Sequence, residues 1–523
     1  MIRSFLTVST GTLTSRLLGF MRDAMLAALL GTGPVADALL VAFQLVNVVR
    51  RLLTEGALNA ALVPAWLRVR DTQGSVAAAA FAGRVLGSIG AALIVVTIAL
   101  GLAMPVVIAA LAPGFRGEQT LQLAVANARL MLPYLAFAGP AAVMMALLNA
   151  QGRFALAAFS PLLFNVALIS VIGILIFRQA NAIDASLAIA ATVGAAGFLQ
   201  LLVLLLRSGG SRLANPLRIV FDQEMRGFLA RAIPGMIAGS GPQLLIVAGA
   251  IIASSSPSGV SWLYFASRLI ELPLGIVGVA MGAVLVPELT RAVRLNDCLT
   301  MTIAESRGLE LAVGLALPAT LGLIALSEPI VRMLFEHGVF TAADTAGTAH
   351  ALVFLALGLP AHVLIKALSP AFFAREDTMT PLLATLKGFV VTLVLAVVLG
   401  QLFGTSGVAA SIAFGAWSST ISLVRHGAAT FGFSLDAAAR RRLPRMVAAA
   451  LAMGGMLWWA APLVPASGAG LAQALVVAAL ISVGMAVYGL LLVALGAISS
   501  GEVVNAFRQN AGPGLRDRGS NGI

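Results

Sequence analysis

The sequence predicts an all-α polytopic membrane protein with about 14 transmembrane helices, built as two six-helix lobes related by a parallel pseudo-repeat plus two C-terminal helices. Three observations carry this prediction. Hydrophobic residues make up 60% of the 523-residue chain and charged residues only 10%, with a mean hydropathy of +1.00, unlike soluble domains. Apolar stretches of about 20 residues, enough to cross a bilayer, follow one another from end to end. Finally, part of the first half recurs in the second half.

The apolar stretches are separated by short polar or Gly/Pro-containing breaks. They lack the two-residue alternation of barrel strands, so helices are predicted. The first stretch is too long and too charged for a signal peptide. The predicted spans of the first half are 6–30, 36–66, 82–110, 121–149, 156–178 and 183–206. Those that follow are 226–253, 259–290, 307–334, 344–371, 379–402, 405–427, 444–464 and 469–497.

The arginines and lysines between the spans predict the orientation, because short loops rich in them stay in the cytoplasm. With both termini inside, about 22 of the 33 basic residues fall on the cytoplasmic side and about two, Arg116 and Arg178, fall outside. The formal net charge of +12 is then explained by topology and by anionic lipid at the inner surface. Nucleic-acid binding is disfavoured, because the basic residues are dispersed and lack interleaved aromatic residues.

Two pairs of segments show the internal repeat. The stretch GPAAVMMALLNAQGRFALAAFSP (139–161) resembles LPAHVLIKALSPAFFAREDTMTP (359–381), 220 residues later. Likewise NAALVPAW around Pro64 resembles GAVLVPEL around Pro287, at an offset of 223. Each repeat holds an even number of spans, so both copies have the same orientation. Such a parallel repeat predicts two lobes around an axis along the membrane normal, with the working site between them and alternating access by rocking.

The spans and the repeat together predict the domain organisation. The predicted units are an N-lobe at 1–206, a cytoplasmic interlobe linker at 207–225, a C-lobe at 226–427, a cytoplasmic basic loop at 428–443, two further helices at 444–497 and a cytoplasmic tail at 498–523.

Cysteine and histidine usage disfavours metal and redox chemistry. A single cysteine, Cys298, allows no intrachain disulfide and no thiolate cluster. The four histidines, His337, His350, His362 and His426, lack ligand spacing. Neither a catalytic triad nor a paired-carboxylate motif is recognisable, so no metal, no cofactor and no enzymatic activity are expected.

Basic residues inside the predicted spans are the main functional signal. Each costs roughly 2.5 to 3.5 kcal/mol at a helix centre, so it should face a wet cavity or a partner. A long side chain near a helix end can instead reach the interface; Arg332 fits that interpretation, and Arg129 is ambiguous. The set is Arg16, Arg22, Arg50, Arg51, Arg129, Arg268, Arg332, Lys366 and Lys387.

Arg22, Arg50 and Arg268 come from three spans and both repeats, and we interpret them as functional. From Asp37, about 1.5 Å per residue places the Arg50 region on the order of 20 Å from the outer end, near mid-membrane. An arginine cluster between lobes suits a multiply charged anion such as pyrophosphate, because guanidinium is always ionised and binds phosphate oxygens bidentately. Asp23 and Asp37 could neutralise some of the arginines.

Structural ion pairing is the alternative explanation for some of these charges. Arg51 and Glu55 are four residues apart and Arg268 and Glu271 three apart, so each pair can meet on one helix face. For Arg51 we favour a structural pair with Glu55 over a direct role in binding.

Several long runs resemble one family of membrane transporters. The run SRLLGFMRDAMLAALLGTGPVADALLVAFQLVNVVRRLLTEGALNAALVPAW (15–66), together with VSWLYFASRLIELPLGIVGVAMGAVLVPEL (260–289), resembles the MurJ/MviN family of lipid II flippases. RMLFEHGVFTAADT and FFAREDTMTPL match as well, so the resemblance covers essentially the whole chain. It implies the fold of the multidrug/oligosaccharidyl-lipid/polysaccharide exporter superfamily, with a groove for the lipid tail at the last two helices.

The resemblance also implies a function and a site. The expected function is translocation of the undecaprenyl-pyrophosphate-linked peptidoglycan precursor from the inner to the outer leaflet of the bacterial cytoplasmic membrane. The family's substrate-binding positions correspond to Arg16, Arg22, Arg50, Arg268 and Ser261, and its supporting charges to Asp23, Asp37, Arg51, Glu55 and Glu271. Where the family often has Lys and Asp, this chain has Gln44 and Ser267. One positive and one negative charge are lost together, which puts a coupling role for these two positions in doubt.

Two other functions stay open on the residues alone. A flippase for another polyprenyl-linked glycan would use the same pyrophosphate chemistry. A multidrug or ion-coupled exporter of the same superfamily would favour acidic cavity residues for cationic substrates, which the arginine excess disfavours. The expected partners are lipid II and membrane lipids, with no nucleic acid. The chain is expected to act as a monomer, driven by an ion or by the membrane potential.

Overall fold

Helices dominate the part of the chain that the structure, a computed structural model, describes. The described residues are 2–54, 57–115, 117–208, 214, 217–220, 233–234, 236–238, 240–294, 298–375, 377–432, 435–465 and 470–497. No β-strand occurs within those ranges. The predicted all-α class is therefore confirmed.

The helices follow the two predicted lobes and the C-terminal pair. The first bundle consists of α1 (Ile2–Leu30), α2 (Pro34–Thr54), α3 (Ala57–Leu111), α4 (Glu118–Met131), α5 (Pro133–Ala150), α6 (Phe154–Phe177) and α7 (Ala182–Ser208). The second bundle consists of α8 (Gly241–Ala253), α9 (Gly259–Arg294), α10 (Cys298–Ala325), α11 (Ser327–Phe335), α12 (Ala342–Ala356), α13 (Leu359–Phe373) and α14 (Met379–Phe431). The C-terminal pair is α15 (Ala437–Ala460), extended by a 3₁₀ turn (Ala461–Leu463), and α16 (Leu471–Ala494).

Two helical stretches are far longer than a bilayer is thick. The 53 residues of α14 would extend about 80 Å at 1.5 Å per residue, against roughly 30 Å of hydrocarbon. Each of these stretches therefore breaks at a glycine with positive φ: α14 at Gly404 (φ 60°, ψ −140°) and α3 at Gly74 (φ 87°, ψ 175°). Among the described residues, nine helices are long and apolar enough to cross a membrane, and a pair bent by 42°, α12 and α13, makes a tenth. Counting α14 as two spans, one on each side of Gly404, gives eleven. The helices α1, α2 and α8 also lie within predicted spans, so the helices are consistent with about 14 crossings.

The helix boundaries repeat as the sequence does. α4 begins at Glu118 and α12 at Ala342, 224 residues later. In both bundles this span is interrupted in the middle, between α4 and α5 and between α12 and α13, and resumes with a proline at its first or second position. Proline lacks the N–H that a continuous helix needs, so it suits the start of the second segment.

Two stretches expected to be loops are helical instead. Arg68 and Arg70 lie on the first part of α3, before Gly74. The basic cluster predicted in a loop at 428–443 lies on the first turns of α15. There the Asp436 side chain caps the helix by accepting a 2.6 Å hydrogen bond from the Ala439 N–H. Alanine and arginine have high helix propensity, so hydropathy marked the end of the span but not the end of the helix.

Part of the predicted interlobe linker packs on the first bundle. Residues 217–220 have no regular secondary structure. Both main-chain polar groups of Val220 lie 3.0 Å from the Ser88 hydroxyl of α3. A side chain at the neighbouring Gly87 would lie only 2.6 Å from the Arg218 carbonyl oxygen. The remainder of that linker lies mostly outside the described residues.

The two bundles meet at the end that the basic residues predict to be outside, here called the predicted outer end. It carries the turns at 31–33, 112–115, 254–258 and 336–341. The contacts there are the Val339 N–H to the Ala28 carbonyl (3.0 Å), the Thr32 hydroxyl to the Asp344 carboxylate, the Ser261 N–H (2.8 Å) and hydroxyl to the Asp37 carboxylate, and the Gly114 N–H to the Ser254 hydroxyl (3.0 Å). These contacts close the space between the bundles at that end.

The break at Gly404 predicts that alanine destabilises the protein at this position but not at a glycine within a regular helix. Its backbone lies near a region that is essentially restricted to glycine, where another residue costs of order 1–3 kcal/mol. We expect Gly404→Ala to lower the thermal unfolding midpoint of the purified protein. Gly455→Ala is the control, because Gly455 lies within α15 with no atom within 4 Å of an added Cβ; it should leave the midpoint unchanged or raise it. Equal midpoints for the two variants would contradict the role of Gly404 in the break.

Candidate functional site

A cavity of ≈490 Å³ lies between the two bundles. Its walls come from α1, α2, α5, α6 and α7 of the first bundle and from α9 of the second bundle. The charged residues that line it are Arg16, Arg22, Arg50, Arg51, Arg268, Asp23 and Glu271. Five arginines thus face two carboxylates, and the cavity favours an anion. The four predicted substrate-binding arginines lie together in its wall.

Asp23 connects arginines of both bundles. Its Oδ1 lies 2.7 Å from Nη2 of Arg22, the preceding residue on α1. Its Oδ2 lies 3.2 Å from Nε of Arg268 on α9. The hydroxyl of Tyr264 donates a 3.1 Å hydrogen bond to the same carboxylate, and Arg22 donates a further bond of 3.0 Å to Oδ1 of Asn165 on α6. Asp23 therefore holds one arginine of each bundle in place.

Glu271, one turn after Arg268 on α9, also connects arginines of both bundles. Its Oε1 lies 2.7 Å from Nη2 of Arg51, and its Oε2 lies 2.7 Å from Nη1 of Arg268. The predicted pairing of Arg268 with Glu271 is confirmed. Arg51 pairs across the bundles with Glu271, whereas the predicted partner Glu55 lies outside the described residues.

The ion pairs of Asp23 are largely buried and those of Glu271 are part-buried, and this burial determines what it costs to break them. The side chain of Asp23 is 2% exposed and that of Arg268 11% exposed. Removing one member of a buried pair typically costs about 3–5 kcal/mol, because the remaining charge stays desolvated. Aromatic rings support the arginines: Arg22 lies 5.2 Å from the Phe43 ring centroid, and Arg268 lies 4.5 Å from that of Tyr264. Ion pairs and aromatic contacts from both bundles thus hold the network together.

Arg50 and Arg16, which also line the cavity, donate hydrogen bonds to a side-chain amide oxygen and to a main-chain oxygen. Arg50 is half-buried and donates long hydrogen bonds of 3.3 and 3.4 Å to Oδ1 of Asn47. Arg16 donates to the main-chain oxygen of Glu271 at 3.2 Å. It reaches that oxygen because residue 275 is a glycine, since a Cβ at Gly275 would overlap the Arg16 guanidinium.

Several other predicted residues lie elsewhere. Ser261 and Asp37 do not line this cavity, because they bind each other at the predicted outer end. Gln44 is buried, and the Ser267 hydroxyl donates to the Tyr264 carbonyl at 2.7 Å. Arg332, which the sequence predicts to reach the interface, forms ion pairs with its neighbours Glu328 and Glu336. Arg129 donates a hydrogen bond to the carbonyl of Gly101.

Two polar partners of the arginines, Tyr264 and Asn165, were not predicted from the sequence. Tyr264 lies one turn before Arg268 on α9, and that spacing alone could have indicated it. Asn165 lies in the apolar span of α6, where an isolated amide indicates an interior partner.

Comparison with known proteins identifies the family. A family model described as lipid II flippase MurJ matches residues 26–478. This chain belongs to the MurJ family. A probable lipid II flippase MurJ of Rhizobium meliloti (strain 1021) is 36% identical, over 100% of this chain and 99% of the relative. The corresponding protein of Rhizobium tropici is 34% identical over the same shares. A lipid II flippase MurJ of Burkholderia cenocepacia is 32% identical, over 88% of this chain and 90% of the relative.

Solved structures agree on the fold. Lipid II flippase MurJ in an inward closed conformation matches with a TM-score of 0.73 at 20% identity, over 92% of this chain and 98% of that one. An inward-facing multidrug resistance transporter of the MATE family matches with a TM-score of 0.66 at 18% identity, over 85% of this chain and 98% of that one. The chain is therefore a multi-pass membrane protein of a transporter family, with the expected superfamily fold.

The position of Arg16 against Gly275 yields a test. Gly275→Ala should displace the guanidinium from α9 and weaken the rescue of a strain depleted of its own MurJ. The control is Gly90→Ala, whose Cβ would meet Pro140 at an ordinary 3.5 Å. At equal membrane levels we expect full rescue from Gly90→Ala only. Full rescue by both variants would show that the approach of Arg16 to α9 does not matter.

Proposed function

We propose that this protein is a lipid II flippase, which translocates the undecaprenyl-pyrophosphate-linked peptidoglycan precursor from the inner to the outer leaflet of the bacterial cytoplasmic membrane by alternating access. The observation that carries the proposal is the cavity in which arginines of both bundles converge. Family membership supports it, because the relatives carry this function in their names.

The arginines provide the chemistry for the pyrophosphate. Arg16, Arg22, Arg50 and Arg268 are the proposed ligands, since each guanidinium can donate two parallel hydrogen bonds to phosphate oxygens. Asp23, Arg51 and Glu271 are the supporting charges that orient them. A bound pyrophosphate would compete with the two carboxylates for Arg22 and Arg268. Substrate binding would therefore loosen the ion pairs that connect the bundles.

The contacts at the predicted outer end supply the gate. Asp37 with Ser261 and Thr32 with Asp344 join the bundles there, so in this conformation the cavity would be reached from the inner side. Opening outward requires these contacts to separate. Release requires the outward state to bind the head group less tightly. We thus assign Ser261 and Asp37 to the gate rather than to the substrate.

Helix α15 supports the proposed orientation, with both termini in the cytoplasm. Its first turns carry Arg440, Arg441 and Arg442, and its far end carries Trp458 and Trp459, which are 73% and 79% exposed. Arginines concentrate on the cytoplasmic side of membranes, and tryptophans at the interface. We place the prenyl chain along α15 and α16, which the hydroxyl of Tyr488 anchors to the bundle by donating to the Gly314 carbonyl (2.9 Å).

A multidrug exporter would have the same fold but a different cavity. Its cationic substrates would need carboxylates, whereas the charged lining here has more arginines than acids. A flippase for another polyprenyl-linked glycan would share the pyrophosphate contacts. An assay that detects lipid II itself distinguishes the two.

Arg268 provides the first test of this function. In cells depleted of their own flippase, Arg268→Ala should abolish rescue and leave lipid II inaccessible from outside, since it removes the partner of Asp23 and Glu271. Arg268→Lys keeps the positive charge but loses the guanidinium, which can donate two parallel hydrogen bonds, so this variant should rescue weakly. Arg129→Ala, at an exposed cation on α4, is the matched control and should rescue fully. The proposal fails if lipid II accessibility is unchanged on depletion when no redundant flippase is present, or if Arg268→Ala rescues fully.

The outer gate provides a second test. In a Cys298→Ser background, Thr32→Cys with Asp344→Cys places two thiols where the native side chains bond, close enough for a disulfide after a small shift. Oxidation should stop lipid II translocation, and reduction should restore it. Each single cysteine should be insensitive to the oxidant. Continued translocation with the disulfide formed would contradict alternating access through this gate.

A further inference from the structure

A contact of the same kind joins the two bundles twice at the predicted outer end. In the first contact, the turn after α11 lies on the last turn of α1, where the Val339 N–H donates to the Ala28 carbonyl at 3.0 Å. In the second contact, the turn after α3 lies on the end of α8, where the Gly114 N–H donates to the Ser254 hydroxyl at 3.0 Å. Each bundle thus places a turn against the end of a helix of the other bundle.

The internal repeat relates these two contacts to each other. The last residues of α1 and α8 are 223 positions apart, and those of α3 and α11 are 224 positions apart. The repeated sequence segments have nearly the same offset. Gly114 and Gly338, which are also 224 positions apart, therefore occupy equivalent places in the two turns. A pseudo-twofold axis along the membrane normal would exchange one contact with the other.

Both turns approach the opposite helix so closely that a side chain would not fit. A Cβ at Gly338 would overlap the Ala28 carbonyl oxygen, and a Cβ at Gly114 would overlap the main chain of Ser255. Main-chain atoms cannot rotate away as the end of a flexible side chain can. The φ of Gly338 is +60°, which itself favours glycine, whereas the φ of Gly114 is not positive. At position 114 the close approach alone therefore explains the glycine.

Ser254 gives the second contact a hydrogen-bond path that the first contact does not need. Its hydroxyl accepts from the Gly114 N–H and donates to the Ile251 carbonyl at 2.6 Å. Ile251 is 223 positions after Ala28, so each turn reaches the equivalent helix carbonyl, directly in one contact and through a hydroxyl in the other. Ser254 is buried, and removing its hydroxyl would take this acceptor away from the Gly114 N–H, which is costly.

We propose that the two contacts are quasi-equivalent latches that close the outer end of the cavity, with Gly114, Gly338 and Ser254 as positioning residues of the transport cycle. Each latch joins both bundles, so the outer end opens only when both latches release. A side chain at either glycine prevents one latch from closing and shifts the population toward the outward-open arrangement. The inference rests on the proposed function, because the latches close the cavity that we assign to the substrate.

The test measures the width of the outer end in the absence of substrate. Spin labels on Ala182→Cys, at the start of α7, and Gln401→Cys, close to the break in α14, report the separation of the bundles in a Cys298→Ser background; both labelled positions are exposed. Distances are measured by double electron–electron resonance in lipid nanodiscs. We expect Gly114→Ala and Gly338→Ala each to shift the distribution to longer distances, because the added methyl group meets main-chain atoms of the other bundle.

Two other glycines provide matched controls. Gly432 has a φ of +70°, so Gly432→Ala carries the same kind of backbone strain as Gly338→Ala. Gly455 lies within α15, and Gly455→Ala is the control for Gly114→Ala. No described atom lies within 4 Å of a Cβ at either control position, so both controls should keep the distances of the unsubstituted protein. Distances in Gly114→Ala and Gly338→Ala that equal those of their controls would overturn the inference.

Ser254 tests the second latch without adding an atom to it. Ser254→Ala should also populate the longer distances, because the Gly114 N–H loses its acceptor. Ser411→Ala is the control, since the buried Ser411 hydroxyl donates to the Gly407 carbonyl of its own helix at 2.8 Å and does not join the bundles. Equal distances in Ser254→Ala and Ser411→Ala would overturn the role of the hydroxyl.

These distances are independent of lipid II, so the latches and the flippase function can fail separately. Longer distances in the glycine variants, together with unchanged lipid II accessibility on depletion, would support the latches and contradict the flippase. Unchanged distances, together with loss of rescue by Arg268→Ala, would contradict the latches and support the flippase.

Discussion

The structure depends on two carboxylates, Asp23, which is buried, and Glu271, which is part-buried, and both are shared among three arginines. Asp23 binds Arg22 and Arg268, and Glu271 binds Arg268 and Arg51. Each carboxylate touches arginines of both bundles, so the charges that suit an anionic substrate are the same charges that connect the bundles. Removing either carboxylate would take a countercharge away from arginines of both bundles, which is costly in a low-dielectric site.

The bilayer explains why this arrangement is compatible with a stable fold. Apolar side chains gain little by associating in lipid, so helix packing relies on close contact and on polar groups that face inward. Small residues supply the close contact here: glycine at position 275 lets Arg16 reach the α9 main chain, and glycine at position 87 lets the linker approach α3. The close approach of Arg16 and of the linker thus depends on glycines at these two positions.

Much of the fold could be predicted because it follows from hydropathy and repetition. The apolar stretches located the helices, and the repeat placed the arginines between two bundles. Hydropathy failed at helix ends, where Arg440 to Arg442 extend α15 beyond the predicted span. The convergence of Arg22 and Arg268 was predicted from the cost of cations inside a membrane, which need a wet cavity or a partner, and from their positions in the two repeats. The pairing of Arg51 with Glu271 could not be predicted, because local spacing indicates pairs within one helix and Glu271 belongs to another.

The burial of Asp23, at 2% exposure, has a consequence for cooperativity. An ion pair is strong when dry and weak when hydrated, since water screens charge far better than protein does. Any fluctuation that admits water between the two bundles weakens the ion pairs that join them. Further water then enters more easily. Separation of the bundles should then behave as an abrupt wetting transition, in which intermediate openings are sparsely populated.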